Sequence, residues 1–112
     1  MDKTYFLDIA EAALNNAKFR HILSNHFKIG KTTQSLEERF VQNYQGKYED
    51  IVLLYDAGTD GSLVDWLEEE MIKHCWDVYG RKECDNDQIG GGPSCTDNAT
   101  TDNTAKLYVV FR

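Results

Sequence analysis

The apolar residues of this chain recur at two different spacings, and these spacings predict its secondary structure. In three segments they recur every three or four positions, the spacing of an amphipathic helix: residues 4–23, 36–46 and 62–80. Ser35 and Glu38 form a capping box ahead of the second helix, and Gly80 suits a left-handed cap after the third. Short apolar, β-branched and aromatic runs predict strands at residues 26–30, 51–55 and 107–111.

The rest of the chain consists of turns and one long polar segment. Residues 51–55 are continuously apolar, which predicts an interior strand, whereas residues 82–104 look too polar to pack. A polar segment of that length indicates either a function or disorder. With 112 residues, of which 41% are apolar, the chain is expected to form one domain. Its parts are an N-terminal helix within residues 1–23, a core at 26–93 and a C-terminal strand at 105–112.

The composition predicts a soluble intracellular protein. No apolar run approaches the roughly 20 residues of a membrane-spanning helix, and the N-terminal residues lack the apolar core of a secretory signal. Three cysteines are an odd and sparse set for a disulfide framework, and they suit a reducing compartment. The glycosylation sequon at Asn98 is therefore interpreted as a chance match.

The net charge of −7 argues against indiscriminate coating of nucleic acid, because phosphate binding needs clustered lysine and arginine. The charge is unevenly distributed, however. Residues 1–47 carry seven basic and five acidic groups, a balance of +2, so the other 65 residues carry −9. A phosphate-facing surface is therefore expected around Lys28, Lys31 and Arg39. A solvated acidic surface with scattered lysines is the alternative.

The triplet Gly30-Lys31-Thr32 matches the end of a phosphate-binding P-loop, but the rest of that motif is missing. A P-loop needs a glycine five residues earlier, where this chain has Asn25. The intervening residues resemble a strand, and 112 residues that begin with a helix leave too little chain for a nucleotide hydrolase. We therefore interpret Gly30 as part of a different kind of site.

Glu68 occupies an unusual position on the third predicted helix. Val64, Glu68 and Ile72 form one row along it, so this carboxylate has an apolar neighbour one turn above and one turn below. Such a half-buried carboxylate is costly to ionise, and it is often a metal ligand or an acid-base group. A boundary glutamate whose end reaches water is the alternative. Asp65, which shares a row with Glu69, is expected on a solvated face.

The ordered set of motifs resembles the GIY-YIG nuclease family. The set consists of Ile-Gly-Lys-Thr after residue 28, Glu-Glu-Arg-Phe in the next helix, Leu-Glu-x-x-Met-Ile in the long helix, and Asn86 ahead of three glycines and Pro93. The resemblance covers residues 26 to about 93. It is greatest for the branch of the family whose second motif reads Lys-Ile-Gly.

The resemblance implies an α+β fold, with a small three-stranded antiparallel sheet flanked by helices, and a metal-dependent endonuclease that hydrolyses phosphodiester bonds. It implies one divalent ion, Mg²⁺ or Mn²⁺, held by Glu68, and DNA as a substrate ahead of RNA. Arg39 would pair phosphate oxygens in the transition state, and Asn86 would orient the site. Gly30 would end a strand beside the site, and Lys31 would lead toward the helix of Arg39 and bind nucleic acid.

The chain departs from the family pattern in two places. Lys28 replaces the tyrosine of the second motif, and a lysine there could bind phosphate or act as a base. The first strand, with its Gly-Ile-Tyr, is missing ahead of His26. Because residues 106–110 resemble that strand, we predict a circular permutation that brings Tyr108 beside Lys28 and Gly30. For Tyr108 the alternative is a strand residue that packs on one sheet face.

Other sites and functions are also open on the sequence. Four potential zinc ligands occur in the second half of the chain, without a Cys-x-x-Cys pair: His74, Cys75, Cys84 and Cys95. His21 and His26 flank a predicted strand, where they could assist proton transfer. One alternative function is a catalytically weak or inactive GIY-YIG-like module that binds nucleic acid or protein. Another is an acidic domain of unrelated fold.

Overall fold

The sheet is built around its last strand. The computed structural model describes residues 3–112, so the first two residues of the chain, ahead of the predicted helix at 4–23, lie outside the described part. Strands β1 (Phe27–Thr32), β2 (Asp50–Asp56) and β3 (Lys106–Phe111) form one antiparallel sheet in the order β1-β3-β2. Residues 107–111 of β3 are all buried, as a central strand covered on both faces requires.

Helices cover both faces of this sheet: α1 (Thr4–Arg20), α2 (Leu36–Asn43), α3 (Gly61–Val78) and the single turn α4 (Gly80–Glu83). The predicted α+β class, with a three-stranded antiparallel sheet packed against helices, is therefore confirmed. Helix α1 ends before the predicted residue 23, because His21 leaves the helix and stacks on Phe111 of the central strand.

The helix boundaries follow the capping residues. The Ser35 hydroxyl accepts a hydrogen bond from the Glu38 N–H at 3.2 Å, as the capping box predicts. Asp60 caps α3 by accepting from the Leu63 N–H at 3.1 Å, so the helix begins one residue before the expected Ser62. Gly80 follows the end of α3 with a φ of +79°, the left-handed conformation that the sequence predicts.

The two faces of the sheet bury two separate clusters. On one face, Leu107, Val109 and Phe111 pack with α1 and α3 in what we call the large core. On the other face, Tyr108 and Val110 pack with a smaller set that we call the tyrosine core. Its other members come from α2, β2 and the turn between them: Leu36, Phe40, Tyr44, Tyr48 and Ile51. The predicted apolar row of α2 thus contributes to the smaller cluster.

Three expectations about the strands and the polar segment are wrong. β2 is an edge strand, not an interior one: Leu53 is 43% exposed, and the pairing with β3 shifts between Leu53 and Tyr55. β1 continues past Gly30, because Lys31 and Thr32 still pair with β3. Residues 82–104 do pack, since Cys84 and Cys95 are both buried. Isolated apolar side chains are enough to anchor a segment that is polar on average.

Within residues 3–112, none of the helices combines the length and the apolar character that crossing a bilayer requires.

Candidate active site

A cleft of about 390 Å³, which we call the first cleft, runs along β1 between the sheet and α3. Its walls include Gly90, Gly91 and Gly92, whose φ angles are all positive. Every residue that the sequence singled out for the site contributes to its lining: Lys28, Lys31, Arg39, Glu68, Asn86 and Tyr108. Side chains from β1, β3, α2, α3 and the polar segment therefore converge on one place.

Tyr108 reaches the first cleft by lying across Gly30. The two residues are direct partners in the β1–β3 ladder, and Lys28 pairs with Val110 two positions away. A side chain at position 30 would overlap the Tyr108 ring, so only glycine fits beneath it. The predicted position of Tyr108, on the last strand beside Lys28 and Gly30, is confirmed by this pairing. The glycine of the Ile-Gly motif is explained by this ring, and not by the end of a strand.

Three polar groups meet at the end of the Tyr108 side chain. Its hydroxyl oxygen lies 2.5 Å from the hydroxyl oxygen of Tyr44 and accepts a hydrogen bond from Nε of Arg39 at 3.2 Å. Burial, together with the Tyr44 hydroxyl, raises the pKa of Tyr108. Burial by itself lowers the pKa of Arg39, but the hydrogen bond to Tyr108 and the electrostatic interactions with Tyr108 and Tyr44 together outweigh this effect, and the pKa is raised. At neutral pH the site therefore holds a neutral phenol and a charged guanidinium.

Glu68 is more deeply buried than the sequence suggests, with an exposure of only 7%. The nearest cation is the ammonium of Lys31, whose Nζ lies 3.6 Å from Oε1 of Glu68, too far for a hydrogen bond. This oxygen is buried and has no hydrogen-bond partner in the described part of the chain. Burial raises the pKa of Glu68, and the attraction of Lys31 offsets only part of the rise.

Asp65 does not line the first cleft but is paired with Lys31, which does, although the sequence placed Asp65 on a solvated face. Its Oδ1 lies 2.9 Å from Nζ of Lys31, and it accepts a hydrogen bond from the Cys95 N–H at 2.9 Å. The hydroxyls of Ser94 and Thr96 also donate to it, at 2.5 and 2.6 Å. Burial raises the pKa of Asp65, but these donors outweigh it and hold the pKa well below its usual range. The spacing of Asp65 and Glu68, three residues apart on one helix, was the available signal.

The ion pair between Lys31 and Asp65 determines which cations of the first cleft remain unpaired. The Lys31 side chain is 9% exposed, so its ammonium is committed to the interior of the site. Lys28 also lines the first cleft, and it forms no ion pair with any residue from 3 to 112. Of the three cations expected to face phosphate, Lys28 and Arg39 have no carboxylate partner within the described residues 3–112.

Asn86 holds β1 in place from its outer side. Its Oδ1 accepts from the Ile29 N–H at 2.9 Å and its Nδ2 donates to the Ile29 carbonyl at 2.8 Å. The Cys84 thiol donates to the same Oδ1 at 3.3 Å, and the Asp85 N–H bonds the Phe27 carbonyl at 2.7 Å. Residues 84–86 therefore act as a short extra strand. Asn86 thus fixes the position of β1 along the first cleft.

The other candidates lie elsewhere. His21 pairs with Asp50 at 2.8 Å and His26 lies 3.6 Å from Asp85, and neither histidine lines the first cleft. Cys75 and Cys84 are neighbours in the large core, whereas the carbonyl of Cys95 lies against Gly61 at the start of α3. Among residues 3–112, no three histidine, cysteine or acidic side chains are grouped so that they could hold a metal ion.

The donor chemistry of the first cleft fits a hard divalent cation with one protein ligand. Mg²⁺ is commonly held by one or two carboxylates, with water completing the shell. The unpartnered Oε1 of Glu68 would be such a ligand. Comparisons with family models, with curated proteins and with solved structures find no match for this chain. Its function must therefore be argued from the fold and the side chains of the cleft.

Proposed function

We propose that this protein is a metal-dependent endonuclease that hydrolyses phosphodiester bonds of DNA, built as a circularly permuted GIY-YIG-like domain. One observation supports the proposal above all. The six candidate residues are spread from position 28 to position 108, come from five different segments and line one cleft. Chance placement of six such residues over a three-stranded sheet and its helices would scatter them.

Arg39 is the residue proposed to bind the phosphate. Its Nε is held by the Tyr108 hydroxyl, which sets the orientation of the guanidinium plane. The two terminal nitrogens then form the fork that pairs two phosphate oxygens as negative charge builds. Lys28 adds a second positive charge to the same cleft, without the geometric demand of a fork.

Glu68 is the residue proposed to hold Mg²⁺ or Mn²⁺. When bound, the ion would stabilise negative charge on the scissile phosphate and the leaving oxygen. Asp65 and Lys31 have a supporting role, because the shorter contact of Lys31 is with Asp65, at 2.9 Å against 3.6 Å to Glu68. The ammonium is thereby held off Glu68, whose Oε1 is left without a hydrogen bond.

Tyr108 is proposed to position the reacting groups. Because its pKa is raised, its hydroxyl is protonated at neutral pH and acts as a hydrogen-bond donor or acceptor, not as a base. Arg39 and Tyr44 flank its oxygen, so the hydroxyl proton can be directed either toward Tyr44 or toward a bound phosphate or water.

The proposal is tested by incubating plasmid DNA with the purified protein and Mg²⁺ or Mn²⁺. We expect nicking or linearisation by the wild type and a loss of about 100-fold or more in Glu68→Gln, because the metal ligand is removed. The matched control is Glu70→Gln, which alters a partly exposed carboxylate on the same helix that pairs with Lys73 at 3.6 Å. Equal cutting by wild type and Glu68→Gln would mean a contaminating nuclease and would refute the proposal.

The second candidate is a catalytically weak or inactive module that binds nucleic acid or protein. It is favoured by the Lys31 ammonium, which already partly balances Glu68, and by the net charge of −7. Binding of DNA by the wild type in the presence of metal, without any cutting, would support this candidate over the nuclease.

A further inference from the structure

A second cleft, with a volume of about 500 Å³, adjoins the first. The two share Lys31, Arg39 and Pro93 in their linings, so they are parts of one depression divided by these side chains. The second cleft lies between the start of α2 and the segment around residues 94–103. None of the residues predicted from the sequence explains it, apart from the two cations on its border.

The charge of the second cleft is unlike that of the rest of the molecule. The chain contains 19 acidic residues, yet no carboxylate is found among the described residues that line this cleft. The first cleft, by contrast, includes Glu68 and Asp87. Phosphate groups are repelled by carboxylates, so a polyanion that enters the first cleft would avoid most of the surface. The second cleft continues from the first beside Arg39, and its lining residues Lys31, Ser94 and Cys95 contact Asp65, which is paired with the Lys31 ammonium.

The polar groups of the second cleft are mostly side-chain amides. Nε2 of Gln34 donates to Oε1 of Gln42 at 3.1 Å, and Nδ2 of Asn98 donates to the Ser94 carbonyl at 2.7 Å. These bonds fix two amides and leave Nε2 of Gln42 and Oδ1 of Asn98 without a partner among residues 3–112. The side-chain amide of Asn103 is unpartnered in the same sense. The cleft therefore presents both donors and acceptors, which is the complement of a nucleobase edge.

The size of the second cleft decides between single-stranded and duplex nucleic acid. A volume of 500 Å³ corresponds to a cube about 8 Å on a side. A DNA duplex is wider than its own major groove, and that groove is already about 12 Å wide. A duplex therefore cannot enter, but one nucleotide can. No aromatic side chain lines this part of the described structure, so recognition would use hydrogen bonds and not base stacking.

We propose that the second cleft binds one unpaired nucleotide adjacent to the scissile phosphodiester, with Gln42, Asn98 and Asn103 hydrogen-bonded to its base and sugar. Arg39 spans the two clefts and contacts the phosphate between them. The proposal rests on the proposed nuclease function, and it adds that the strand is single at this point.

The test uses the full chain with the Glu68→Gln substitution, so that no cutting occurs, labelled with ¹⁵N. A single-stranded DNA tetranucleotide is titrated while the side-chain amide signals of Gln42, Asn98 and Asn103 are followed by NMR. We expect these signals to shift together with one Kd, while the signal of Asn16, exposed on α1, stays unchanged. The double substitution Gln42→Ala and Asn103→Ala should raise the Kd about tenfold, and Asn16→Ala should leave it unchanged.

Three outcomes would overturn the proposal: no shift of these amides, an equal shift with a duplex of the same sequence, or an unchanged Kd in the double variant. The result can be separated from the proposed function. Amide shifts without cutting by the wild type would keep the nucleotide site and remove the nuclease. Cutting without amide shifts would keep the nuclease and remove the site.

Discussion

The two faces of the sheet differ in chemistry, although one strand supplies the centre of both. Toward the large core, β3 presents Leu107, Val109 and Phe111, which pack among apolar side chains of α1 and α3. Toward the tyrosine core it presents Tyr108 and Val110. The buried hydroxyl of Tyr108 forms a hydrogen bond with the hydroxyl of Tyr44. The first face is apolar, whereas the second is smaller and contains buried hydroxyl groups.

The comparison teaches where a small domain can place a polar site. Lys31 follows Phe27 and Ile29 in the alternation of β1, so it extends from the large-core side, where it meets Asp65 and Glu68 of α3. Tyr108 and Arg39 come from the tyrosine side. The first cleft lies along the edge strand where the two sides meet, so the site uses both faces without opening the large core.

The largest effect is expected from a cavity in the large core. Leu67 of α3 is fully buried, so Leu67→Ala should lower the free energy of unfolding by about 2–5 kcal/mol in urea denaturation. Val41→Ala is the matched control, because Val41 is 61% exposed on α2 and its loss should change stability by less than about 0.5 kcal/mol. Similar losses in both variants would contradict the assignment of Leu67 to a tightly packed large core.

A smaller, pH-dependent change in the free energy of unfolding is expected at Asp65. Asp65 has a lowered pKa when folded, so it stabilises the fold above its usual pKa and ceases to do so as the pH falls through the folded value. Asp65→Asn should therefore cost about 1.5–3 kcal/mol at neutral pH, since hydrogen bonds to a charged group are lost. The difference from wild type should vanish in strong acid, as measured by urea denaturation across pH.

Glu68, on the same helix, is expected to change stability with pH in the opposite direction to Asp65. Its pKa is raised on folding, so the folded state is favoured while Glu68 is protonated and loses this advantage as the pH rises through the folded pKa. Glu68→Gln should consequently be more stable than wild type at neutral pH, with the gain disappearing in acid. A variant at position 68 that behaves like Asp65→Asn would show that the two carboxylates are not distinguished by burial.

The smallest effect on stability is expected on the tyrosine side. Tyr108→Phe keeps the ring over Gly30 and removes only the hydroxyl, so unfolding should become easier by about 1 kcal/mol. The rate of plasmid cutting should fall by more than this small loss of stability explains, because Arg39 loses the hydroxyl group that orients its guanidinium. If stability fell and cutting were preserved, the Tyr108 hydroxyl would be a packing group and not part of a site.

Much of the fold followed from local patterns, because caps and helical rows act over a few residues. The capping of α2 by Ser35, the left-handed Gly80 after α3 and the core-facing position of Glu68 are of this kind. The pairing of the last strand with the segment around Gly30 followed from its motif resemblance.

What the sequence missed depends on partners that are distant along the chain. Asp65 looked solvated because its donors, Ser94 to Thr96, lie about 30 residues away in a segment without periodicity. The central place of β3 was hidden for a similar reason: residues 51–55 are just as apolar, and only the pairing shows which strand is covered on both sides. The second cleft gave no signal, since scattered amides form no motif.

The order of the strands also constrains how the nascent chain can reach this structure. β1 and β2 do not pair with each other, and every ladder in the sheet includes residues 106–111. While translation proceeds, β1 and β2 are therefore unsatisfied strands whose edges can attract other chains. Closure must bridge the more than seventy residues between β1 and β3, so assembly should be slow for so small a protein.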